Sequence, residues 1–510
     1  MTVSGSKQLG LGSQGIKTAA SSRAVVQAPT ELRASQEWTV RNGGGMEVKA
    51  SVASYPDVAL TVGGSGWIDW TAACPNLWGP LTFTNLTLAI KGSGTLGPAG
   101  AGPVYIYNPG DAKSATYVNG TVIDRDLWLT DCSKAAGSGY ARITVPDNAT
   151  LTFNGTVCSS NTTTLALTLG RNSTVIFNKL FMSRNAGSIQ NGAGGGKAIF
   201  NGPYHNRDRF TMTGGTLEFH ARLNRMNGNM GTWSGGTVKL MTDYALEASN
   251  QTRRQPIKTT GNEMDADIRT WVNPKGSAVL DLCGHDQSVD HVALHGGGGT
   301  VTSEGAATLH VIRTSNYWAN HNYTQGFSVP SGFSDDNSYG YECADRGFWT
   351  GGVTLKYECS NPAQRFMMRT SSSTGCVEVV AGTLVFLRRA KTTGETFDLK
   401  LGSANPFPRQ ADDDGAWTNA TKAVVKGGVL KLEHGKAFGK ETAFELNSAG
   451  KLQREAGVRQ SCASLTLNGT EAPVGTYGST ESDAQYKDDA YFTGTGVLKV
   501  GKIGVYILIR

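Results

Sequence analysis

Gly214-Gly-Thr-Leu-Glu-Phe219 recurs 21 residues later as Gly235-Gly-Thr-Val-Lys-Leu240. In both copies a glycine pair precedes alternating apolar and polar residues, the pattern of a strand with one buried face. The glycines permit a sharp bend with positive φ immediately before that strand. Looser copies occur later in the chain, namely Gly298-Gly-Thr-Val301, Gly351-Gly-Val-Thr-Leu355, Ala381-Gly-Thr-Leu-Val-Phe386, Gly427-Gly-Val-Leu-Lys-Leu432 and Thr495-Gly-Val-Leu-Lys-Val500. The recurrence predicts a stacked repeat.

A repeat unit of this size cannot bury its apolar face alone, whereas parallel coils stacked about 4.8 Å apart form a continuous core. Short alternating runs such as Ala149-Thr-Leu-Thr-Phe153 recur from Trp38 onward, and no segment carries an apolar helical stripe of three turns. The sequence therefore predicts an all-β chain that forms an elongated, right-handed parallel β-helix, or solenoid, with little helix.

The composition favours a repeat array and disfavours a single compact core. The chain has 510 residues, of which 66 are glycine and only 17% are charged, against a usual charged share of about 25%. The net charge of +6 comes from scattered Lys and Arg, which disfavours nucleic-acid binding. No stretch approaches the roughly 20 apolar residues of a membrane span.

Periodicity divides the chain into four segments. Residues 1–36 lack alternation and are expected to be a flexible leader, and residues 37–135 are expected to form β-rich N-terminal coils with a cap region. Residues 136–474 carry the β-helix repeats. Residues 475–510 are expected to close the stack with a polar loop and two strands, Gly496 to Val500 and Val505 to Ile509.

Three of the eight cysteines, Cys343, Cys359 and Cys376, are spaced by about one coil. If each step is one coil, neighbouring thiols would stack within the Cα distance that a disulfide requires. Small buried side chains in a ladder explain the spacing equally well.

Four stretches resemble the autotransporter-associated β-strand repeat family of large bacterial surface proteins. They are the repeated Gly-Gly-Thr-Leu motif, Ala278–Thr302, Val425–Gly439 and Ser464–Val500. The resemblance implies a passenger-type parallel β-helix that is extracellular or on the cell surface. It also implies a non-catalytic adhesive or stalk-like role, with host or environmental glycans or surface proteins as partners. Residues 1–30 carry no apolar signal-peptide core, so we expect no export signal in this chain.

Parallel β-helices also include carbohydrate-active enzymes, so a polysaccharide lyase or glycoside hydrolase is the alternative function. Such enzymes need carboxylates on neighbouring coils together with a groove-facing Lys or Arg. The nearest fragment, Cys283-Gly-His-Asp286, lies inside a repeat motif and has no partner set in the sequence. We therefore expect no catalytic residues, no metal site and no cofactor.

Aromatic residues are the candidate binding groups. Trp67, Trp70, Trp78, Tyr105 and Tyr107 cluster in the sequence, and exposed rings on a solenoid would offer stacking platforms to sugars. Core filling is the alternative role for these rings, because large aromatics bury much apolar area.

Ten Asn-x-Ser/Thr sequons, among them Asn148, Asn154, Asn172 and Asn468, are interpreted mainly as turn chemistry.

Overall fold

A computed structural model gives the structure. It describes residues 2–107, 115–130, 139–159, 163–183, 186–191, 195–206, 209–222, 224, 226, 233–246, 258–259, 262–263, 271–272, 274, 276–289, 291–292, 299–313, 341–343, 348–359, 365–368, 371–386, 388, 396–397, 407–408 and 414–501. No described residue is helical, and the strands stack in parallel sheets as a β-solenoid. The predicted fold class is confirmed.

The chain forms two compact units, Met1–Ala245 with Pro256–Ile268 (unit 1) and Leu246–Gln255 with Arg269–Arg510 (unit 2). The strands of unit 1 are β1 Thr2–Val3, β2 Leu9–Leu11, β3 Arg23–Val26, β4 Thr30–Leu32, β5 Gln36–Val40, β6 Gly45–Val48, β7 Val52–Ser54, β8 Leu60–Gly64, β9 Trp67–Trp70, β10 Leu81–Thr84, β11 Thr87–Ile90, β12 Val104–Tyr107, β13 Ala115–Tyr117, β14 Val122–Ile123, β15 Leu127–Thr130, β16 Gly139–Val145, β17 Thr150–Phe153, β18 Val157–Ser159, β19 Thr163–Leu169, β20 Thr174–Phe177, β21 Phe181–Ser183, β22 Ala186–Asn191, β23 Lys197–Phe200, β24 Tyr204–Asn206, β25 Arg209–Phe219, β26 Trp233–Leu240, β27 Lys258–Thr259 and β28 Asn262–Glu263.

The strands of unit 2 are β29 Trp271–Val272, β30 Val279–Asp281, β31 Gln287–Val289, β32 His291–Val292, β33 Thr300–Thr302, β34 Ala307–Arg313, β35 Tyr341–Cys343, β36 Phe348–Trp349, β37 Val353–Cys359, β38 Arg365–Met368, β39 Val377–Ala381, β40 Thr383–Phe386, β41 Thr396–Phe397, β42 Phe407–Pro408, β43 Lys422–Leu432, β44 Ala443–Arg454, β45 Arg459–Cys462, β46 Ser464–Leu467, β47 Thr470–Glu471, β48 Gly475–Gly478, β49 Tyr486–Lys487, β50 Phe492–Thr493 and β51 Val497–Val500.

In unit 1 an eight-stranded parallel sheet runs in the order β5, β8, β10, β12, β15, β18, β21, β24. Equivalent inward positions pair from strand to strand, so that one apolar column runs Leu60, Leu81, Val104, Leu127, Val157, Phe181 and Tyr204. A second wall of the solenoid stacks Phe153, Phe177 and Phe200, whose neighbouring ring centroids lie 5.2 and 5.1 Å apart. The core of unit 1 therefore lies inside the coils and grows by one apolar layer per turn.

The glycine motif that predicts the repeat is paired in register. Thr216 lies opposite Thr237, and Phe219 lies opposite Leu240, so the 21-residue step is one complete coil. Gly215 and Gly236, the second glycine of each copy, both have a φ of 81°. This part of the sequence interpretation is confirmed.

In unit 2 the long strand β43 shows what the motif does. Its first residues pair with β39, and its last four pair with β40 across a corner at Gly428, where φ is 70°. A Cβ on Gly428 would lie 2.2 Å from the carbonyl oxygen of Gly382, the corner of the preceding turn. Glycine is required there for both its φ and its size.

The later copies of the motif do not all occupy one wall. The strand after Gly351 belongs to the ladder β34, β37, β39, whereas the strand after Gly382 belongs to the ladder β38, β40, β43. The strand of the Thr495 copy, β51, pairs with β45 on a third ladder. The motif therefore marks corners of the coil rather than one repeated face.

The N-terminal segment differs from the expected flexible leader. Within residues 1–36, strand β3 pairs in parallel with β6, and β2 and β4 continue the ladder of β7. Val26 and Leu32 are buried. These residues form coils of the same solenoid, because their alternation is short but still places apolar side chains inward.

At the other end, the first predicted closing strand is present as β51, Val497–Val500. It lies antiparallel to β48 and parallel to β45. The second, Val505 to Ile509, lies outside the described residues.

The stacked-thiol hypothesis is wrong in its register. Cys343 pairs with Met367, Cys359 pairs with Arg313, and Cys376 donates its backbone N–H to Thr354 Oγ1 at 3.0 Å. The three cysteines occupy different columns, because corners and loops separate them by unequal numbers of strand residues.

The turn interpretation of several sequons agrees with the backbone. Asn148, Asn172 and Asn468 have φ values of 56°, 51° and 47°, a region that asparagine tolerates better than other residues with a Cβ. Asn154 takes another role. Its side chain belongs to a ladder in which Asn178 donates to Asn154 at 2.7 Å and Asn154 donates to Asp124 at 2.6 Å.

Candidate functional site

Two of the five predicted aromatic residues lie together on the outer face of unit 1. Tyr105 and Tyr107 occupy alternate positions of β12, so both rings project away from the core. Their ring centroids are 6.0 Å apart and the ring planes differ by 14°. Both tyrosine side chains are partly exposed, whereas the alternate residues of the strand, Val104 and Ile106, are buried. The strand thus offers a paired aromatic surface to solvent.

A third ring joins this surface from the next turn. Trp128 on β15 lies directly opposite Tyr105, and like Tyr105 it is partly exposed. We name Tyr105, Tyr107 and Trp128 the aromatic platform. The sequence interpretation missed Trp128, although the 23-residue step from Val104 to Leu127 in the core column applies equally to Tyr105 and Trp128.

Buried side chains bound the platform on the far side of Trp128. Trp128 packs against Cys158 and Met182, which are fully buried although they continue the same outward column. All three residues of β18 and of β21 are buried. The accessible part of this outer face therefore ends at β15.

Hydroxyl groups bound the platform on its other side. Thr82 and Thr84 on β10 lie opposite Tyr105 and Tyr107, and Thr61 on β8 lies opposite Thr82. These side chains are partly exposed, and each hydroxyl can both donate and accept a hydrogen bond. The face therefore combines flat apolar rings with uncharged hydrogen-bonding groups.

The three tryptophans predicted with the tyrosines lie elsewhere. Trp70 is fully buried, stacks on Trp38 at 6.2 Å between ring centroids and donates its indole N–H to Cys74 Sγ. It fills the core, which was the alternative role considered for these rings. Trp67 lies on β9, in a different ladder, where it covers Gly45 of the preceding turn. Trp78 lies in the loop before β10 and is 39% exposed.

The outer face of unit 2 carries charged side chains instead of rings. One column runs Ser288, His310, Lys356 and Glu378 on β31, β34, β37 and β39. His310 Nε2 lies 2.9 Å from Glu358 Oε2. Lys426 Nζ lies 3.0 Å from Glu378 Oε1 and Lys422 Nζ lies 2.5 Å from Glu445 Oε2. Glu378 and Glu445 on this face are therefore paired with lysines, and Glu358 is paired with an imidazole.

The pKa of His310 is lowered from its ordinary value. Burial is the largest cause and the charge of Lys356 adds to it, while Glu358 and Glu378 act in the opposite direction. His310 is thus a neutral imidazole beside a carboxylate at neutral pH, an arrangement that can move a proton.

Within the part of the chain that the structure describes, no group of three His, Cys, Asp or Glu side chains has metal-binding geometry. In that same part no helix is long and apolar enough to cross a membrane. Comparison of the chain with protein-family models, with curated proteins and with solved structures gives no significant match.

Proposed function

We propose that the chain is a non-catalytic β-solenoid of the cell surface or the extracellular space that contacts glycans through the aromatic platform of unit 1. The observation that carries the proposal is the stacked, partly exposed pair Tyr105 and Tyr107 beside Trp128. Sugar rings present flat C–H faces and hydroxyl edges. Aromatic rings bind the faces, and hydroxyl side chains such as Thr82 bind the edges.

Two further features support this assignment. A strand within a stacked sheet holds its side chains in one geometry, so the platform loses little conformational entropy when a ligand binds. The rings and the threonine hydroxyls beside them carry no charge, which favours neutral glycans over polyanions. An adhesive or stalk-like surface role, as the family resemblance implies, is consistent with both.

A glycan array tests the proposal. We expect the intact protein to bind a subset of neutral glycans and the double variant Tyr105→Ala/Tyr107→Ala to lose at least tenfold in affinity, about 1.4 kcal/mol. Trp78→Ala is the matched control, because it removes a 39% exposed ring that lies in a loop and not on β10, β12 or β15, and it should leave binding unchanged. Equal binding by the double variant and the parent protein would contradict the proposal.

A carbohydrate-active enzyme is the second candidate, and the His310–Glu358 contact of 2.9 Å favours it. A neutral imidazole near Lys356 and Glu378 is a reasonable proton acceptor for cleavage of a uronide polymer. Assays for new reducing ends and for unsaturated products on uronide polymers test this candidate. Turnover that disappears in His310→Gln would support it, and the absence of turnover across such polymers would remove it.

A further inference from the structure

Arg454 is a charged residue in a core position. It ends strand β44 and continues the inward column Met368, Phe386, Leu432 of the preceding turns. Its side chain is fully buried. The last apolar layer of this column in unit 2 is therefore followed by a guanidinium group, beneath the residues that close the stack.

The buried guanidinium group makes few contacts. Nη2 donates to the carbonyl oxygen of Tyr477 at 3.0 Å, and the ring of Phe492 covers one face at 5.0 Å from its centroid. Nε and Nη1 are buried and have no hydrogen-bond acceptor in the described part of the chain. Three of the five N–H bonds of the side chain are carried by these two atoms.

Among the residues that the structure describes, no acid forms an ion pair with Arg454. Glu455 follows Arg454 in the sequence, and its carboxylate lies 2.9 Å from Lys431 Nζ. Glu433 lies on the preceding turn, and its carboxylate lies 3.0 Å from the same Nζ. The thiol of Cys462 is close enough to interact electrostatically, but burial raises its pKa to about 12, so it is neutral. Burial also lowers the pKa of Arg454 to about 9, which reflects the cost of an isolated internal cation.

Unit 1 contains a buried arginine that is fully satisfied. Arg125 is 1% exposed, and its guanidinium donates to four backbone carbonyl groups, those of Leu77, Gly79, Leu96 and Gly102. No buried N–H of Arg125 is left without an acceptor. Arg125 shows that the backbone of this solenoid can satisfy an internal guanidinium. At Arg454 the described backbone supplies one acceptor, the carbonyl oxygen of Tyr477.

We propose that Arg454 binds a small inorganic anion, of which chloride is the simplest, in the interior of the C-terminal closing segment. The anion would accept hydrogen bonds from the buried N–H groups and neutralise a cation that would otherwise lie uncompensated in a low-dielectric interior. Because Tyr477 and Phe492 belong to the closing segment and contact the same guanidinium, the bound anion would stabilise that segment against opening.

Unfolding of the full chain at constant ionic strength tests the proposal, with chloride replacing the bulky anion gluconate. One-site binding to the folded state alone lowers the apparent unfolding equilibrium constant by up to tenfold for each tenfold rise in chloride above the dissociation constant. We expect Arg454→Met to lose this dependence. Arg125→Met is the matched control, because it removes the other buried guanidinium; it should unfold more readily but keep the chloride dependence.

A second measurement avoids any variant that fails to fold. Crystals of the parent protein soaked in bromide should give an anomalous peak within hydrogen-bond distance of Arg454 Nε or Nη1. An ordered water molecule without anomalous signal at that position would overturn the proposal. Chloride-independent unfolding of the parent protein would overturn it as well.

Discussion

The outer faces of the two units are built on the same kind of parallel sheet and differ in what they present to solvent. In unit 1, β10, β12 and β15 present threonine hydroxyls and the aromatic platform. In unit 2, β34, β37 and β39 present His310, Lys356, Glu358 and Glu378. His310 is hydrogen-bonded to Glu358, and Glu378 forms an ion pair with Lys426. Because a coil constrains only its inward positions, the outward positions are where function can differ between turns of one solenoid.

The difference also separates two kinds of ligand. Aromatic rings and hydroxyls bind neutral sugars, and their interaction is little affected by salt. Paired charges bind a ligand only after their existing partners are displaced, and exposed charge interactions weaken with ionic strength. A ligand bound to unit 1 should therefore depend little on salt, and a ligand bound to unit 2 should depend on it strongly.

Substitution of Trp128 should give the largest effect. Trp128→Ala removes one ring of the platform and its packing against the buried residues Cys158 and Met182 on the neighbouring strands. We expect at least tenfold weaker glycan binding and a loss of about 2 kcal/mol in the free energy of unfolding, less than for a fully buried tryptophan. Titration calorimetry and urea unfolding measure the two effects. A stable variant with unchanged glycan affinity would place the ligand away from this face.

Ionic strength should change glycan binding less than twofold between low and high salt, because the platform and its threonines are uncharged. Binding to unit 2 would instead weaken as Lys356 and Lys426 are screened. Affinity measured across a salt series, in parallel with Lys426→Met, distinguishes the two faces. A steep salt dependence that Lys426→Met abolishes would assign the ligand to unit 2.

Removal of the ion pair between Lys426 and Glu378 should have little effect on stability. The lysine side chain is 50% exposed, so solvent screens the pair, and Lys426→Met should change the free energy of unfolding by less than about 1 kcal/mol. Urea unfolding with Lys422→Met as a parallel variant measures this. A change of several kcal/mol would show that the charged face is an integral part of the folded structure.

His310 should contribute the smallest effect, visible only as a pH dependence. Its pKa is lowered in the folded protein, so below the ordinary histidine value the unfolded chain binds the additional proton more readily. Stability should therefore fall as the pH drops from the ordinary value of 6.5 through the lower, folded value. Comparison of the unfolding midpoint of the parent protein and His310→Gln over this window measures the effect. Identical pH profiles would contradict the assigned burial of a neutral imidazole.

The sequence predicts the architecture well, because backbone stacking depends on features that are local. The 21-residue recurrence pairs Thr216 with Thr237, and the second glycine of each pair occupies a corner with positive φ. The spacing does not predict which wall of the solenoid a given copy joins. That depends on loop lengths between corners, and for this reason Cys343, Cys359 and Cys376 do not stack.

The candidate site could be predicted only in part. Alternation within one strand places both Tyr105 and Tyr107 outward, so this pair can be predicted without knowing how the strands pair. Trp128 lies beside them only because β12 pairs with β15. Trp70 does not belong to the site, because its position in β9 faces the core. The choice between core and surface for a tryptophan depends on strand phase, which a sequence cluster does not reveal.

Hydroxyl-radical footprinting of the intact protein, with and without the glycan that binds best on the array, tests most directly whether the aromatic platform binds the ligand. Aromatic and histidine side chains both react with the radical, so the two outer faces are measured in one experiment. We expect slower oxidation of Tyr105, Tyr107 and Trp128 when the glycan is present, and an unchanged rate at His310. Protection of His310 with unchanged rates at the two tyrosines and Trp128 would contradict this expectation.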